Sequence, residues 1–263
     1  MTQSSGDLKI CVVGAGVIGL STALRLCQEI QNVKVTILAD KFLSDTTSDG
    51  AAGLWEPYKL GSTPEHLVNS WAEETFLHFR RIYDSSECGP AGISQVPCAS
   101  LYSKEGYAPP SWRHIPGDFR RMTRAELQRH STVSGKQYVA GHTFTTLFCE
   151  GSLYLPWLTR QLLSCGMLMQ GRQLSSLTDL HGEGGHVIRV RAPWIQSAYF
   201  EDDEFYVLPN HDTVVLGGTG HIGDSNLEPR QKDRDHIWQG VLRLLPSLAK
   251  ATVEREWEML CEQ

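Results

Sequence analysis

The chain has 263 residues, of which 41% are hydrophobic and 21% charged, and its formal net charge at pH 7 is -6. This composition indicates a globular chain with a sizeable core. The acidic balance argues against nucleic-acid partners, and no apolar run approaches the roughly 18 residues of a membrane span. We therefore expect small-molecule partners, no nucleic acid and no membrane, and an oligomer stays possible. The seven cysteines are scattered, which predicts mostly buried, reduced thiols and no metal site.

The first predicted element is a strand over residues 10–13 that runs straight into the pattern G-x-G-x-x-G. A helix follows, and alternating apolar residues then predict a second strand that ends at residues 39–40. In this context the first glycine allows a tight turn, the second lets backbone amides approach a pyrophosphate, and the third lets the helix pack on the strand. The candidate dinucleotide contacts of this turn are Gly14, Ala15, Gly16, Val17, Ile18 and Gly19.

Asp40 stands at the end of the second predicted strand. A carboxylate at this place accepts hydrogen bonds from an adenosine ribose hydroxyl, while the positive end of the helix dipole faces the phosphates. The unit therefore predicts dinucleotide binding. By itself it leaves FAD and NAD open, so an NAD-dependent dehydrogenase is one alternative.

The segment after the second strand carries a family resemblance. Residues 40–42, 45–49 and 51–58 resemble the corresponding stretch of the D-amino-acid oxidase and D-aspartate oxidase family. The resemblance implies FAD as the cofactor, since short hydroxyl side chains are good phosphate donors and a glycine permits close approach to a ring. The cofactor contacts that it implies are Lys41, Thr46, Thr47, Ser48, Gly53 and Leu54.

The resemblance extends over most of the chain. Further matching stretches are residues 118–127, 144–150, 154–158, 190–194, 206–209 and 214–219. Thr123 and Glu126 predict a helix N-terminus with a capping box. Strands between residues 192 and 219, broken at residues 209–210, predict antiparallel structure.

These elements predict a mixed α/β fold, with a Rossmann-like FAD-binding domain and a second, mainly antiparallel β substrate domain. We expect the first domain in residues 1–58 and about 140–185. The second would take up about 59–139 and 186–255.

The resemblance implies an FAD-dependent oxidase that converts a D-amino acid and oxygen into a keto acid, ammonia and hydrogen peroxide. Tyr206 matches a family tyrosine that positions the substrate, and Glu56 and Tyr58 match positions close to the flavin. A carboxylate at Glu56 is unexpected, because it would repel an acidic substrate unless it is paired. Residues 45–49 and 144–149 resemble D-aspartate oxidase more, whereas residues 53–55 and 57–58 resemble D-amino-acid oxidase more, and the balance slightly favours acidic D-amino acids such as D-aspartate. His221, near a place where a second basic group would suit such a substrate, is interpreted as a solvated turn residue.

Two family features are not found. The arginine expected after residues 253–255, which would bind the substrate carboxylate, is replaced by another sequence, so no catalytic residue is certain. An apolar strand expected between about residues 180 and 184 is also lost, which predicts an unpaired sheet edge and exposed apolar surface. A truncated, inactive variant and an FAD-binding or partner-binding module are therefore further alternatives. The resemblance implies a peroxisomal location, but residues 261–263 are no targeting tripeptide, so the cytosol is the alternative.

Overall fold

A computed structural model describes residues 8–58, 60–171, 182–222 and 228–262, which form two β-sheets with helices packed on them. The helices are Val17–Glu29 (α1), Thr47–Gly50 (α2), Glu65–Tyr83 (α3), Arg124–Ser134 (α4), Gly151–Ser164 (α5) and Gln231–Leu244 (α6). The strands are Leu8–Val13 (β1), Val33–Ala39 (β2), Ile93–Tyr102 (β3), Arg120–Arg121 (β4), Ala140–Cys149 (β5), Leu168–Gly171 (β6), Gly182–Arg191 (β7), Ala198–Glu201 (β8), Phe205–Pro209 (β9), Val214–Gly217 (β10), His221–Ile222 (β11) and Thr252–Glu262 (β12). The mixed α/β fold class is confirmed.

The smaller sheet is parallel and has the order β1-β2-β6. Its apolar side chains, such as Val35 and Ile37 on β2, pack with Leu20 of α1 and Leu158 of α5 in one buried cluster. Parallel strands joined through a helix are the arrangement that the glycine turn and the apolar periodicity predicted.

The strand β1 forms an open edge of this sheet within the described part of the chain, where β2 is its one paired neighbour. Leu8 and Val13 are 51% and 52% exposed, and Cys11 is exposed as well. An exposed apolar edge was expected in this sheet from the lost strand. Residues 180 and 181, where that loss begins, lie outside the described residues.

The larger sheet is mainly antiparallel and has the order β11-β7-β10-β9-β8-β3-β5-β4, with β12 paired to the other side of β7. The strands β9 and β10 form a hairpin at the break that residues 209–210 predicted. The strand β5 belongs to this sheet and pairs with β3, whereas α5 and β6 pack with the smaller sheet. The boundaries of the two domains stay a prediction.

The two faces of the larger sheet are covered differently. One face packs against α6 through residues such as Ile188, Val207 and Ile237. The other face carries Val187 and Leu208 and packs against Trp55, in the segment that follows α2. This second face borders the predicted site.

Three interpretations need correction. His221 is no solvated turn residue, because it lies in β11 and its Nε2 is 2.8 Å from Asp233 Oδ2. Residues 230–235, whose run of charges predicts a solvated helix start, include this Asp233, which is buried. Among the described cysteines, Cys98 and Cys149 are buried, so most of these thiols are at least partly exposed.

Candidate functional site

The glycine turn after β1 has the geometry of a phosphate-binding loop. Gly14 has a φ of +102°, a conformation that favours glycine, and its N–H donates to the carbonyl of Leu38 at 2.8 Å. At Gly19 a β-carbon would overlap the carbonyl oxygen of Gly14, so α1 packs against the turn only because this residue has no side chain. Ala15 is buried and Ile18 is 81% exposed. Gly16 offers no side-chain cap, so the N–H groups of the first turn of α1 that follow Val17 remain available to an anion.

Ser48, which belongs to the hydroxyl-rich segment after β2, lies at the start of α1. Its Oγ accepts a hydrogen bond of 3.0 Å from the N–H of Val17. A β-carbon at Gly16 would lie 3.0 Å from the same oxygen. The structure thus joins the glycine turn and the hydroxyl-rich segment, which the sequence placed about 30 residues apart, into one cradle.

The remaining polar residues surround this cradle. Asp40 and Lys41 are exposed directly after β2, at the carboxyl end of the parallel sheet. Thr46 precedes α2 and donates from Oγ1 to the carbonyl of Leu43 at 2.7 Å, and Thr47 begins that helix. A backbone cradle without side chains, a helix N-terminus and several hydroxyls fit the pyrophosphate and ribose of FAD.

Gly53 and Leu54 bring the backbone of the next segment against β5. Gly53 has a φ of +70°, its carbonyl accepts from Cys149 N at 2.9 Å, and a β-carbon would overlap the carbonyl oxygen of Cys149. Leu54 forms a bridge to Phe148. This close approach requires a glycine and fixes where Leu54 lies beside the larger sheet.

Residues 50–58 then run across the second face of the larger sheet. Trp55 anchors this segment, because its buried indole donates to the carbonyl of Ala72 at 2.9 Å. Asn210, after β9, donates to the carbonyl of Ala52 at 3.0 Å. Tyr58 donates to the carbonyl of Asp203 at 3.2 Å, at the other end of β9. The cofactor cradle is therefore connected to the strands that carry Tyr206.

Glu56 is held in an unusual environment for a carboxyl group. Burial and, to a smaller degree, the nearby carboxylate of Asp203 together raise its pKa from 4.5 to about 8. At pH 7 the side chain is therefore mostly neutral. The repulsion of an acidic substrate that the sequence suggested does not arise while this proton is retained.

Tyr206 lies on β9 opposite Gly217 of β10. Its ring covers Gly217 so closely that a β-carbon there would overlap the phenol. The side chain of Tyr206 therefore extends from β9 across β10. Tyr206 and Leu54 pack on the same apolar cluster, so the structure brings the predicted substrate and cofactor residues to one face.

Sequence reasoning missed two residues on this face. Trp257 of β12 packs on the same cluster, and a β-carbon at Gly50 would lie 2.7 Å from its Nε1. Arg189 of β7 lies over the indole of Trp257, with 5.6 Å between the guanidinium carbon and the ring centroid. Their strand alternation was visible in the sequence, but the pairing of β12 with β7 was not.

The described residues contain neither a membrane-spanning helix nor a metal-binding cluster. No helix in these ranges is long and apolar enough to cross a membrane. The same ranges contain no cluster of three His, Cys, Asp or Glu side chains suited to a metal ion.

Comparison with known proteins identifies the family. The family model of FAD-dependent oxidoreductases of the DAO type matches residues 9–192. Human D-aspartate oxidase is 36% identical over 274 residues, which cover 94% of this chain and 79% of that protein. D-amino acid oxidase of Dugesia ryukyuensis is 27% identical, with 94% and 80% covered. The family match confirms FAD as the cofactor.

Solved structures agree with the fold. Glycine oxidase from Geobacillus kaustophilus has a TM-score of 0.75 at 15% identity, with 98% of this chain and 82% of that chain covered. L-proline dehydrogenase from P. horikoshii has the same TM-score at 11% identity and the same coverage. The chain belongs to the DAO family of FAD-dependent oxidoreductases, the family that contains D-aspartate oxidase and D-amino-acid oxidase.

Proposed function

We propose that this protein catalyses the FAD-dependent oxidative deamination of D-amino acids and prefers acidic ones such as D-aspartate. The 36% identity to human D-aspartate oxidase carries this proposal. Support comes from residues 50–58, which connect the cofactor cradle to both ends of β9, the strand that carries Tyr206. The peroxisomal location that the family resemblance implies stays a prediction.

The cofactor contacts are proposed as follows. Residues 14–19 surround the pyrophosphate, which accepts from N–H groups of the first turn of α1 that follow Val17 and from the hydroxyl of Ser48, with Thr46 and Thr47 beside it. Asp40 accepts from the ribose, and Gly53 lets the ring approach the backbone beside Leu54. When bound, FAD supplies a two-electron acceptor that takes a hydride from the substrate Cα and returns the electrons to dioxygen as hydrogen peroxide.

The protein orients the substrate for this step. The phenol of Tyr206 lies over Gly217 of β10, and we expect it to donate a hydrogen bond to a carboxylate of the substrate. Glu56, protonated at neutral pH, offers a donor as well and does not repel a second carboxylate. Tyr58 keeps the segment in place through Asp203. A neutral Glu56 is the feature that supports an acidic substrate.

One observation favours a second candidate. The strand β1 leads into the phosphate cradle and is an open edge of the smaller sheet in the described part of the chain, with Leu8 and Val13 half exposed. A destabilised edge there would weaken FAD binding without removing the cradle. The alternative function is therefore an FAD-binding variant with little or no oxidase activity.

The visible absorption spectrum of the purified full chain with added FAD distinguishes these candidates. The flavin bands should be retained after gel filtration, and anaerobic D-aspartate should bleach them faster than D-alanine does. Admission of oxygen should restore the bands and release hydrogen peroxide. Flavin that is retained but bleached by neither substrate, or flavin that is lost on gel filtration, would contradict the oxidase and support the inactive variant.

A further inference from the structure

We propose that Ser94 is a second reactive centre of this protein, a nucleophile that His211 and Glu150 activate and that accepts acyl groups from small esters. The three side chains form one line of hydrogen bonds where β3, the turn between β9 and β10, and the start of α5 meet. We call this line the Ser94 relay. Acyl transfer uses neither FAD nor oxygen, so the relay goes beyond the proposed oxidase function.

The hydrogen bonds of the Ser94 relay set the tautomer of its imidazole. Glu150 Oε2 lies 2.8 Å from His211 Nδ1, and His211 Nε2 lies 3.1 Å from Ser94 Oγ. A carboxylate only accepts hydrogen bonds, so Nδ1 carries the proton of the neutral ring and donates it to Glu150. Nε2 is then the unprotonated nitrogen, and the hydroxyl of Ser94 donates to it. In this arrangement an imidazole can take the proton of a serine hydroxyl.

Glu150 is itself held in place by several groups. Its Oε2 also accepts from the backbone N–H of His211 at 3.1 Å, and its Oε1 accepts from Ser152 Oγ at 3.3 Å. Arg189 Nη1 lies 4.0 Å from Oε1. Glu150 is the N-cap residue of α5, where the positive end of the helix dipole favours a negative charge. A fixed carboxylate therefore orients the imidazole.

The larger sheet places the other two members of the Ser94 relay side by side. Ser94 of β3 lies opposite Phe148 of β5, so the two side chains point to the same face of the sheet. The ring of Phe148 meets the imidazole of His211 edge-on, with 5.4 Å between the ring centroids. Asn210 N donates to the carbonyl of Thr213 and closes the turn that carries His211. These contacts keep Nε2 directed at Ser94.

The Ser94 relay is shielded at its charged end and accessible at its reactive end. The side chain of Glu150 is 11% exposed and that of His211 is 35% exposed. Ser94 is half-buried, and its hydrogen bond to His211 is exposed. A small ester can therefore reach the serine hydroxyl from solvent without displacing the carboxylate.

The reaction that this geometry supports is acyl transfer. His211 Nε2 takes the hydroxyl proton of Ser94 while Oγ forms a bond to the acyl carbon of the ester. The ester C–O bond breaks as the imidazolium returns this proton to the leaving alkoxide. The resulting acyl ester of Ser94 is hydrolysed by water, whose proton His211 takes in the same way. Glu150 acts as a positioning residue, because it contacts the imidazole and not the reacting atoms.

A second imidazole–carboxylate pair of this protein provides a matched control. His221 Nε2 lies 2.8 Å from Asp233 Oδ2, and these side chains are 34% and 8% exposed, close to the values for His211 and Glu150. No serine in the described part of the chain bonds to the other nitrogen of His221. Its replacement therefore removes an equivalent pair without affecting a serine nucleophile.

A fluorophosphonate probe tests the Ser94 relay in the FAD-loaded full chain, because an activated serine displaces its fluoride and forms an Oγ–P bond. We expect a single label, located at Ser94 by mass spectrometry of peptides, and no label in Ser94→Ala. His211→Gln should be labelled about a hundredfold more slowly and Glu150→Gln about tenfold more slowly. His221→Gln should be labelled at the rate of the wild type. The melting temperature of each variant checks its folding.

Hydrolysis of p-nitrophenyl acetate tests acyl transfer and the part that Glu150 plays in it. The wild type should release p-nitrophenol and carry an acetyl group on Ser94 during turnover. Glu150→Gln should lower kcat about tenfold and change KM less than twofold, because the carboxylate orients the base and does not contact the ester. A wild type without label, a label at another residue, or equal labelling of the Ser94→Ala variant would overturn the proposal. Equal rates in His211→Gln and His221→Gln would overturn it as well.

Discussion

Replacement of Glu56 by glutamine should make the protein more stable, increasingly so as the pH rises. The pKa of this carboxyl is raised from 4.5 to about 8 in the folded state, chiefly by burial. The folded state thus holds a proton that the unfolded chain has already lost, and stability falls as pH rises from about 4.5 to about 8. Glutamine has nearly the same shape and carries no charge, so it removes this dependence.

The size of the effect follows from the two pKa values. One pH unit corresponds to about 1.4 kcal/mol for one proton, which gives roughly 3 kcal/mol at pH 7 and about 5 kcal/mol above pH 8.5 as upper limits. Below about pH 4.5 the two proteins should be equally stable in this respect. The same ionisation should raise the KM for D-aspartate above pH 8 in the wild type, but not in Glu56→Gln.

Urea unfolding at several pH values from 5 to 9, followed by tryptophan fluorescence, measures the difference directly. Glu105→Gln is a suitable control, because Glu105 is an exposed carboxylate in a loop. The gain in free energy of unfolding for Glu56→Gln should grow across this range while that of the control stays near zero. A gain that is constant with pH, or absent, would refute the assignment of a raised pKa to Glu56.

Three further substitutions test the cradle and the fold. The methyl group of Gly19→Ala would overlap the glycine turn, so this variant should bind FAD more than tenfold more weakly in a flavin fluorescence titration. Gly89→Ala is the control, because a β-carbon at Gly89 would face open space and should leave the affinity unchanged. Equal affinities of the two variants would contradict the cradle. Ser48→Ala removes the acceptor of the Val17 N–H and should lower the free energy of unfolding, measured by urea denaturation, by about 1 kcal/mol. An unchanged urea midpoint would mean that water replaces the hydroxyl fully. Thr123→Ala removes the capping box at α4 and should also cost about 1 kcal/mol; no loss would show that the helix start is held by other contacts.

Much of the fold was predictable because its signals are local. The strand, glycine turn, helix and strand near the N-terminus depend on apolar periodicity and on a few glycines, and the structure has them. The capping box of Thr123 and Glu126 needs only a spacing of three residues. The break at residues 209–210 likewise specified a hairpin. Residue type alone restricts the backbone at each of these places.

Long-range pairing was not predictable in the same way. His221 was taken for a solvated residue because its partner Asp233 lies in a different element, across a segment without periodicity. Glu56 was expected to be charged because its sequence neighbours say nothing about how deeply residues 50–58 are buried. Burial and ion pairing depend on which elements meet, and a single sequence does not record that.

The sequence by itself therefore determined the family and the cofactor class and predicted the residues of the phosphate cradle, because backbone chemistry at glycines and hydroxyls acts over a few positions. Only the tertiary structure decided which side chains share the face that we propose for the substrate. The register of β12 on β7 sets Arg189 over Trp257, and the absence of a side chain at Gly217 lets Tyr206 reach across β10. A one-residue change of register would turn these side chains to the opposite face, and so the site exists only once the strands have paired.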